Sequence, residues 1–172
     1  MISALFVHKK SFYKSILHDC WDIDRNALLW PGGNPVICHP PCRSWGRLRH
    51  FSKATEDEHN LALWCILQVR KYGGCLEHPY GSKLFPSYLP YPGTFDKFGG
   101  FTISINQSWF GHTCEKKTFI YICGTLPKLL PPYPLNFNLV EKTIPQLSKK
   151  NRELTPVNLA FFLVDIAKIC YI

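Results

Sequence analysis

Cys42 closes the stretch His39-Pro40-Pro41-Cys42, in which two successive prolines leave the backbone little freedom and hold a thiol in a defined place. Once ionised, a thiol held this way is a nucleophile, and Arg43 beside it favours the thiolate. Glu77 opens Glu77-His78-Pro79 directly after the apolar pair Cys75-Leu76. A carboxyl group crowded by apolar neighbours keeps its proton to higher pH and can donate it. The pair therefore reads as nucleophile and acid, against a plainer reading as a tight turn with a half-buried cysteine and a paired structural carboxylate. Zinc competes for some of the same residues. Cys38, His39, Cys42 and His50 lie close in sequence, with His78, His112 and Cys114 available from elsewhere, and zinc takes Cys and His ligands tetrahedrally. The spacing Cys-x3-Cys-x7-His lacks the paired Cys-x2-Cys knuckle.

For Cys42 and Glu77 to meet, the chain between them must return to the same side of the fold. Pro35-Val36-Ile37-Cys38 is short, apolar and bounded by turn residues, as a buried strand should be. Thr55 with Glu58 three residues later fits a capping box, and Ala62, Cys65, Ile66, Val69 and Tyr72 share one helical face that Gly73-Gly74 ends. Cys75-Leu76-Glu77 then predicts a second buried strand. Strand, helix and strand in this order predict a parallel crossover, with both motifs beyond the carboxyl ends of neighbouring strands. Phe101-Thr102-Ile103-Ser104-Ile105 and the run from Thr118 to Cys123 predict further strands, paired antiparallel. Thr155-Pro156 starts a helix running from Val157 to Ile169. Proline, glycine and tyrosine between Pro79 and Gly100 mark a long loop, and a second proline cluster spans Leu126 to Pro134. The expected fold is three-layer α/β in a single domain.

The chain has 172 residues, 46% of them hydrophobic, enough for one good core and too few to suggest two. A formal charge of +8 favours an anionic partner such as nucleic acid. Lys9-Lys10, Arg47-Leu48-Arg49 and Lys149-Lys150-Asn151-Arg152 are basic clusters able to touch phosphate, with solvated surface charge as their default reading. No run approaches the ~20 apolar residues that span a bilayer, and the opening apolar stretch is far shorter than a signal-peptide core. A soluble, cytoplasmic protein is expected, its eight cysteines being mostly buried small hydrophobes.

Several of these motifs together resemble the DNA cytosine-C5 methyltransferases. Pro40-Pro41-Cys42 resembles their Pro-Cys nucleophile motif, and Glu77-His78-Pro79 their Glu-Asn-Val motif. Phe110-Gly111, Lys116 and the run from Phe119 to Gly124 resemble the segment carrying Phe-Gly, Gln-x-Arg-x-Arg and an apolar strand ending in Gly. Arg152-Glu153-Leu154-Thr155-Pro156 is similar to an Arg-x-Leu-Thr-Pro segment that opens a helix, and Asp22-Ile23 to an Asp-Ile motif ahead of the cysteine. The matches keep the family's order over roughly residues 22 to 168.

The resemblance implies a Rossmann-like methyltransferase-type sheet, truncated, and a nucleic-acid partner, DNA in the family. It implies Cys42 as nucleophile to C6 of a flipped-out cytosine and Glu77 as the acid at N3. Arg43, Arg47, Arg49, His78, His112 and Lys116 are the candidate substrate-binding residues, Lys116 standing where the family has an arginine although Cys114 and Thr118 replace its companions. Trp45, Trp109 or Phe110 could stack on a displaced base, with ordinary core as their other reading. Asp22 is the one residue carried toward the methyl donor S-adenosylmethionine. The donor's Phe-x-Gly-x-Gly loop has no counterpart, since Met1 to Cys20 contains no glycine, and only Thr125 to Asn151 is available for target recognition. Three forms of the enzyme reading follow: a minimal enzyme with an altered donor pocket, one delivering another group, or half of a split enzyme whose partner protein supplies the missing motifs. The alternative is a catalytically inactive nucleic-acid-binding or anti-defence protein on the same scaffold.

Overall fold

The computed structural model describes residues 1–134 and 154–171. Six strands, β1 (Ser3–Leu5), β2 (Asp19–Trp21), β3 (Val36–Cys38), β4 (Gly74–Pro79), β5 (Phe101–Asn106) and β6 (Lys117–Cys123), form one mixed sheet ordered β2-β1-β3-β4-β6-β5. The first four are parallel, and β6 runs antiparallel to both β4 and β5. Among the described residues, four α-helices accompany them: α1 (Tyr13–Ile16), α2 (Glu56–Tyr72), α3 (Leu84–Tyr88) and α4 (Val157–Lys168).

The crossover from β3 through α2 to β4 forms as the spacing predicts. Thr55 caps α2 by accepting the Glu58 N–H at 3.3 Å, while the Glu58 carboxylate goes to Arg43 instead of completing the box. Gly73, at φ +77°, ends the helix. Gly74 follows because β3 and β4 approach so closely that a Cβ there would lie 2.0 Å from the Val36 carbonyl oxygen. Strand β3 begins at Val36 rather than Pro35. Pro35 has no N–H to give a ladder, and its carbonyl accepts from Ser3 at 3.0 Å.

Each face of the sheet has its own core. Ala62, Cys65, Ile66 and Val69 of α2 cover Val36, Cys38, Leu76 and Tyr121. Leu159, Leu163, Ile166 and Ala167 of α4 cover Ile37, Cys75, Ile120 and Ile122 on the other side. Burying each such side chain contributes about 1.5–3 kcal/mol. Six of the eight cysteines are buried and so pack as small hydrophobes. Among the described residues, no helix is long and apolar enough to cross a membrane.

Three expectations change. Helix α4 takes Pro156 as its cap residue with no side-chain cap bond, so Thr155 lies one position outside the role predicted for it. The segment after Pro79 is not wholly loop: it contains α3, whose Phe85 packs edge-on against Phe119 with ring centroids 4.8 Å apart. Finally, β1 and β2 carry no strand signal in the sequence. Three residues buried on both sides, as in β1, show no alternation to read.

Candidate functional site

From β1 the chain passes to β2 on one side, then crosses back to β3 on the other. The strand order therefore reverses at β1 and β3, and the space beyond the carboxyl ends of those strands is where open α/β sheets hold ligands. His39-Pro40-Pro41-Cys42 leaves β3 there, and β4 ends beside it. A recess of about 470 Å³ lined by Ile2, Ile16, Pro35, Phe161 and Val164 lies at the opposite, amino ends of β1 and β3. Its mainly apolar walls do not converge polar groups as a reaction site does.

The Glu77 motif remains in the ladder, since Glu77, His78 and Pro79 pair with Ile120, Phe119 and Thr118 of β6. Side chains alternate along a strand, so Glu77 and His78 point to opposite faces. Glu77 faces the α4 side. His39 Nδ1 lies 3.2 Å from its Oε2, and Gln107 Nε2 donates to its Oε1 at 3.1 Å. The other His39 nitrogen lies 3.1 Å from the hydroxyl of buried Tyr13. Gln107 also donates to Thr118 Oγ1 at 3.0 Å, which leaves its own buried Oε1 with no partner. The Pro-Pro-Cys turn and the Glu77 motif thus meet through His39.

Glu77 is not the proton-retaining acid that apolar crowding suggested. Burial pushes its carboxyl upward, but the His39 hydrogen bond, the nearby charge of Lys116 and the imidazoles of His39 and His78 outweigh it and bring it down to about 2. Glu77 is accordingly a carboxylate in the free protein. Cys42 is exposed, and its carbonyl accepts the N–H groups of Trp45 at 3.0 Å and Gly46 at 2.8 Å, so the thiol sits on a hydrogen-bonded turn. Arg43 beside it is ion-paired, with Glu58 holding its guanidinium through two hydrogen bonds.

The other candidates separate. Lys116 stands near enough to lower the Glu77 carboxyl, in keeping with a place in the site. His78 is fully buried and faces away from Glu77. Neither of its nitrogens makes a regular hydrogen bond; the Pro41 carbonyl favours its cation without reaching good geometry, and burial pushes it down to about 4. His112 is buried and tied to Cys114, whose N–H and thiol lie 3.1 and 3.3 Å from its Nδ1. Arg47 and Arg49 have no acidic partner among the described residues, and Arg47 lies over Gly81 just past β4.

Trp45 and Phe110 are core rather than stacking platforms. Trp45 stacks on His59 at 3.7 Å and donates Nε1–H to the His59 carbonyl, while Phe110 packs against Phe162. Trp109 is partly buried beside Tyr133. Exposed aromatic side chains in the segments after β3 and β4 include Phe51 and Tyr80, which the motif reading passed over. Cys38 is buried against α2 while His39 turns to the other face, so the proposed zinc set does not converge. Among the described residues, no three His, Cys, Asp or Glu side chains are placed to hold a metal. Lys149-Lys150-Asn151-Arg152, Glu153 and most of the Thr125 to Asn151 stretch lie outside the described residues.

The corner beyond β1 and β2 does not fit S-adenosylmethionine. Asp22 is paired with Lys14, and its second oxygen accepts the N–H groups of Asp24 and Arg25 at 3.0 and 3.1 Å. These contacts hold its carboxyl down to about 2 and leave it engaged in its own loop. Lys9 bridges to Asp24 at 2.7 Å across the same corner. Where a glycine loop would follow β1, Phe6 adopts φ +59° and packs against Trp64.

Tyr13 and Gln107, both central to the cluster, carry no sequence signal: one sits in a four-residue helix and the other in a single turn after β5. Compared with known proteins, the chain matches no family model, no curated protein and no solved structure.

Proposed function

We propose that this is a DNA-modification protein resembling the cytosine-C5 methyltransferases, on a truncated Rossmann-like sheet. Cys42 adds to C6 of a cytosine displaced from the helix, and Glu77 addresses N3. The observation that carries this reading is the His39 to Glu77 contact of 3.2 Å, by which the segment that leads from β3 into the Pro-Pro-Cys42 turn reaches Glu77 of the neighbouring strand β4. Arg47 and Arg49 follow the cysteine closely and provide cations for phosphate, with Phe51 and Tyr80 as exposed rings beside them.

Chemically, attack by the Cys42 thiolate forms an S–C6 bond and pushes electron density toward N3 and C5. A proton delivered to N3 by Glu77 neutralises that charge. Because Glu77 is ionised in the free protein, it must acquire this proton before or during substrate binding.

Covalent trapping tests the reading. The protein is mixed with an oligonucleotide containing 5-fluorocytosine, with and without S-adenosylmethionine, and a denaturation-resistant adduct is sought. An adduct lost in Cys42→Ser supports the enzyme. If it needs the methyl donor, the enzyme is a methyltransferase whose β1 and β2 corner rearranges; if it does not, another electrophile or a stalled addition is at work. Intact binding without an adduct favours the second reading, a catalytically inactive nucleic-acid-binding or anti-defence protein. The bridges of Lys9 to Asp24 and of Lys14 to Asp22, which engage the acidic groups beyond β2, are the observation on that side. A split enzyme would form the adduct only when its partner protein is added.

A further inference from the structure

We propose that His39 supplies the proton that Glu77 delivers: Tyr13, His39 and Glu77 form one hydrogen-bonded chain carrying a single exchangeable proton toward the ring nitrogen of the bound base. The inference rests on the reading of Glu77 as the group at N3 and adds the source of its proton. His39 acts through Glu77 and is in that sense a positioning residue.

The geometry limits how protons can be arranged. His39 has one nitrogen 3.2 Å from Glu77 Oε2 and the other 3.1 Å from the Tyr13 hydroxyl, so both ring nitrogens are spoken for. An imidazolium satisfies both contacts, donating Nδ1–H to the carboxylate and Nε2–H to the phenolic oxygen. When the Nδ1–H bond breaks and an Oε2–H bond forms, a neutral imidazole and a neutral carboxylic acid remain, and Nε2–H stays on Tyr13. The N3 lone pair then takes the proton from Oε2 as the thiolate pair forms the S–C6 bond. Glu77 returns to the carboxylate and His39 regains its proton from water, so charge and atoms balance. Tyr13 cannot be the source. Buried among apolar side chains, its hydroxyl is pushed well above its ordinary range and stays protonated.

Other groups bear on the chain. Lys116 and His78 act on Glu77, and the thiols of Cys20 and Cys75 lie close to Tyr13. Gln107 holds the far carboxylate oxygen, so Oε2 is the one that His39 reaches. A fixed cation in place of His39 would hold the carboxylate equally well but would give it no proton.

His39→Asn separates proton supply from mere anchoring, because its amide N–H can occupy the place of Nδ1–H without an exchangeable proton. With 5-fluorocytosine oligonucleotide as probe, the expected result is a trapping rate lowered at least ~10-fold at pH 7 with oligonucleotide affinity unchanged. A wild-type trapping rate in His39→Asn would overturn the proposal. Tyr13→Phe, which removes one oxygen and keeps the packing, gives a second variant should the first not fold; it is expected to slow trapping ~3-fold or more, and an unchanged rate counts against the chain. If the wild-type protein forms no adduct, the reading of Cys42 and Glu77 fails, and the chain is judged in the free protein by NMR. A hydrogen-bond coupling between His39 Nδ1–H and the Glu77 carboxyl should then be seen, and its absence would overturn the chain.

Discussion

Glu77 in β4 and Asp96 in the segment just before β5 are two carboxylates, each with a side chain 14% exposed, yet their surroundings suit them to different work. Asp96 is saturated by permanent donors. Arg70 reaches its Oδ2 at 2.8 Å, the Tyr121 hydroxyl reaches the same oxygen at 2.8 Å, and the N–H groups of Phe98 and Gly100 both reach Oδ1 at 2.9 Å. Arg70 also lies over the Phe98 ring and donates to the Tyr88 carbonyl, so the network fastens the segment after α3 to α2 and β6. Glu77 is held by a histidine and an amide, beside a Gln107 oxygen that has no partner. A carboxylate bound by a guanidinium that never deprotonates is a clamp; one bound by an imidazole can exchange protons. Exposure alone does not distinguish the two.

The contrast breaks most visibly in stability. Arg70→Met is expected to cost about 3 kcal/mol in urea unfolding, because it strands the Asp96 charge among buried groups. His39→Asn should stay within about 1 kcal/mol of wild type, since it keeps a donor toward Glu77. Equal losses would erase the distinction between clamp and reactive pair.

Acid titration sharpens it next. The Glu77 carboxyl lies below its ordinary value of 4.5, at about 2, so its ionised form stabilises the folded state above pH 4.5 and that contribution is lost as pH falls toward 2. Glu77→Gln should remove a slope amounting to about 1–3 kcal/mol over that window. Asp96 is also lowered, its burial outweighed by Tyr121, Gly100 and Arg70, and it contributes with the same sign. An unaltered acid slope in Glu77→Gln would show that Asp96 and its like carry all of it.

Removing single hydroxyls gives a smaller effect. Tyr121→Phe should cost about 1–2 kcal/mol, for it takes a donor from Asp96 and an acceptor from Arg70, whereas Tyr13→Phe should cost about 1 kcal/mol and act mainly on chemistry. The least effect on folding is expected at the exposed cations. Arg47→Ala with Arg49→Ala should leave stability within about 0.5 kcal/mol while lowering the salt dependence of oligonucleotide binding by about one to two phosphate contacts. An unchanged salt slope would remove these arginines from the interface.

Much of the scaffold was legible before any coordinates. The Thr55 cap, the apolar face of α2 and the Gly73 stop are local signals, each set by neighbours within four residues. The pairing of β5 with β6 followed from two long β-rich runs. The order of β1, β2 and β3 did not, because strands of three residues are selected by what they pack between rather than by their own pattern.

For the site, sequence by itself determined that a cysteine follows a rigid Pro-Pro turn and that a glutamate lies on the next parallel strand, which runs on to Pro79 instead of ending at that glutamate. Tertiary structure alone decided what that glutamate is. The register Cys38 to Leu76 sets His39 beside Glu77 across 38 positions of sequence, and pleating turns His78 to the far face although it is the adjacent residue. The charge of Glu77 follows from these contacts, since burial alone would have kept it protonated and the His39 hydrogen bond, the charge of Lys116 and the imidazoles of His39 and His78 reverse the sign. A protonation state is a sum over neighbours in space, and most of those neighbours are distant in the chain.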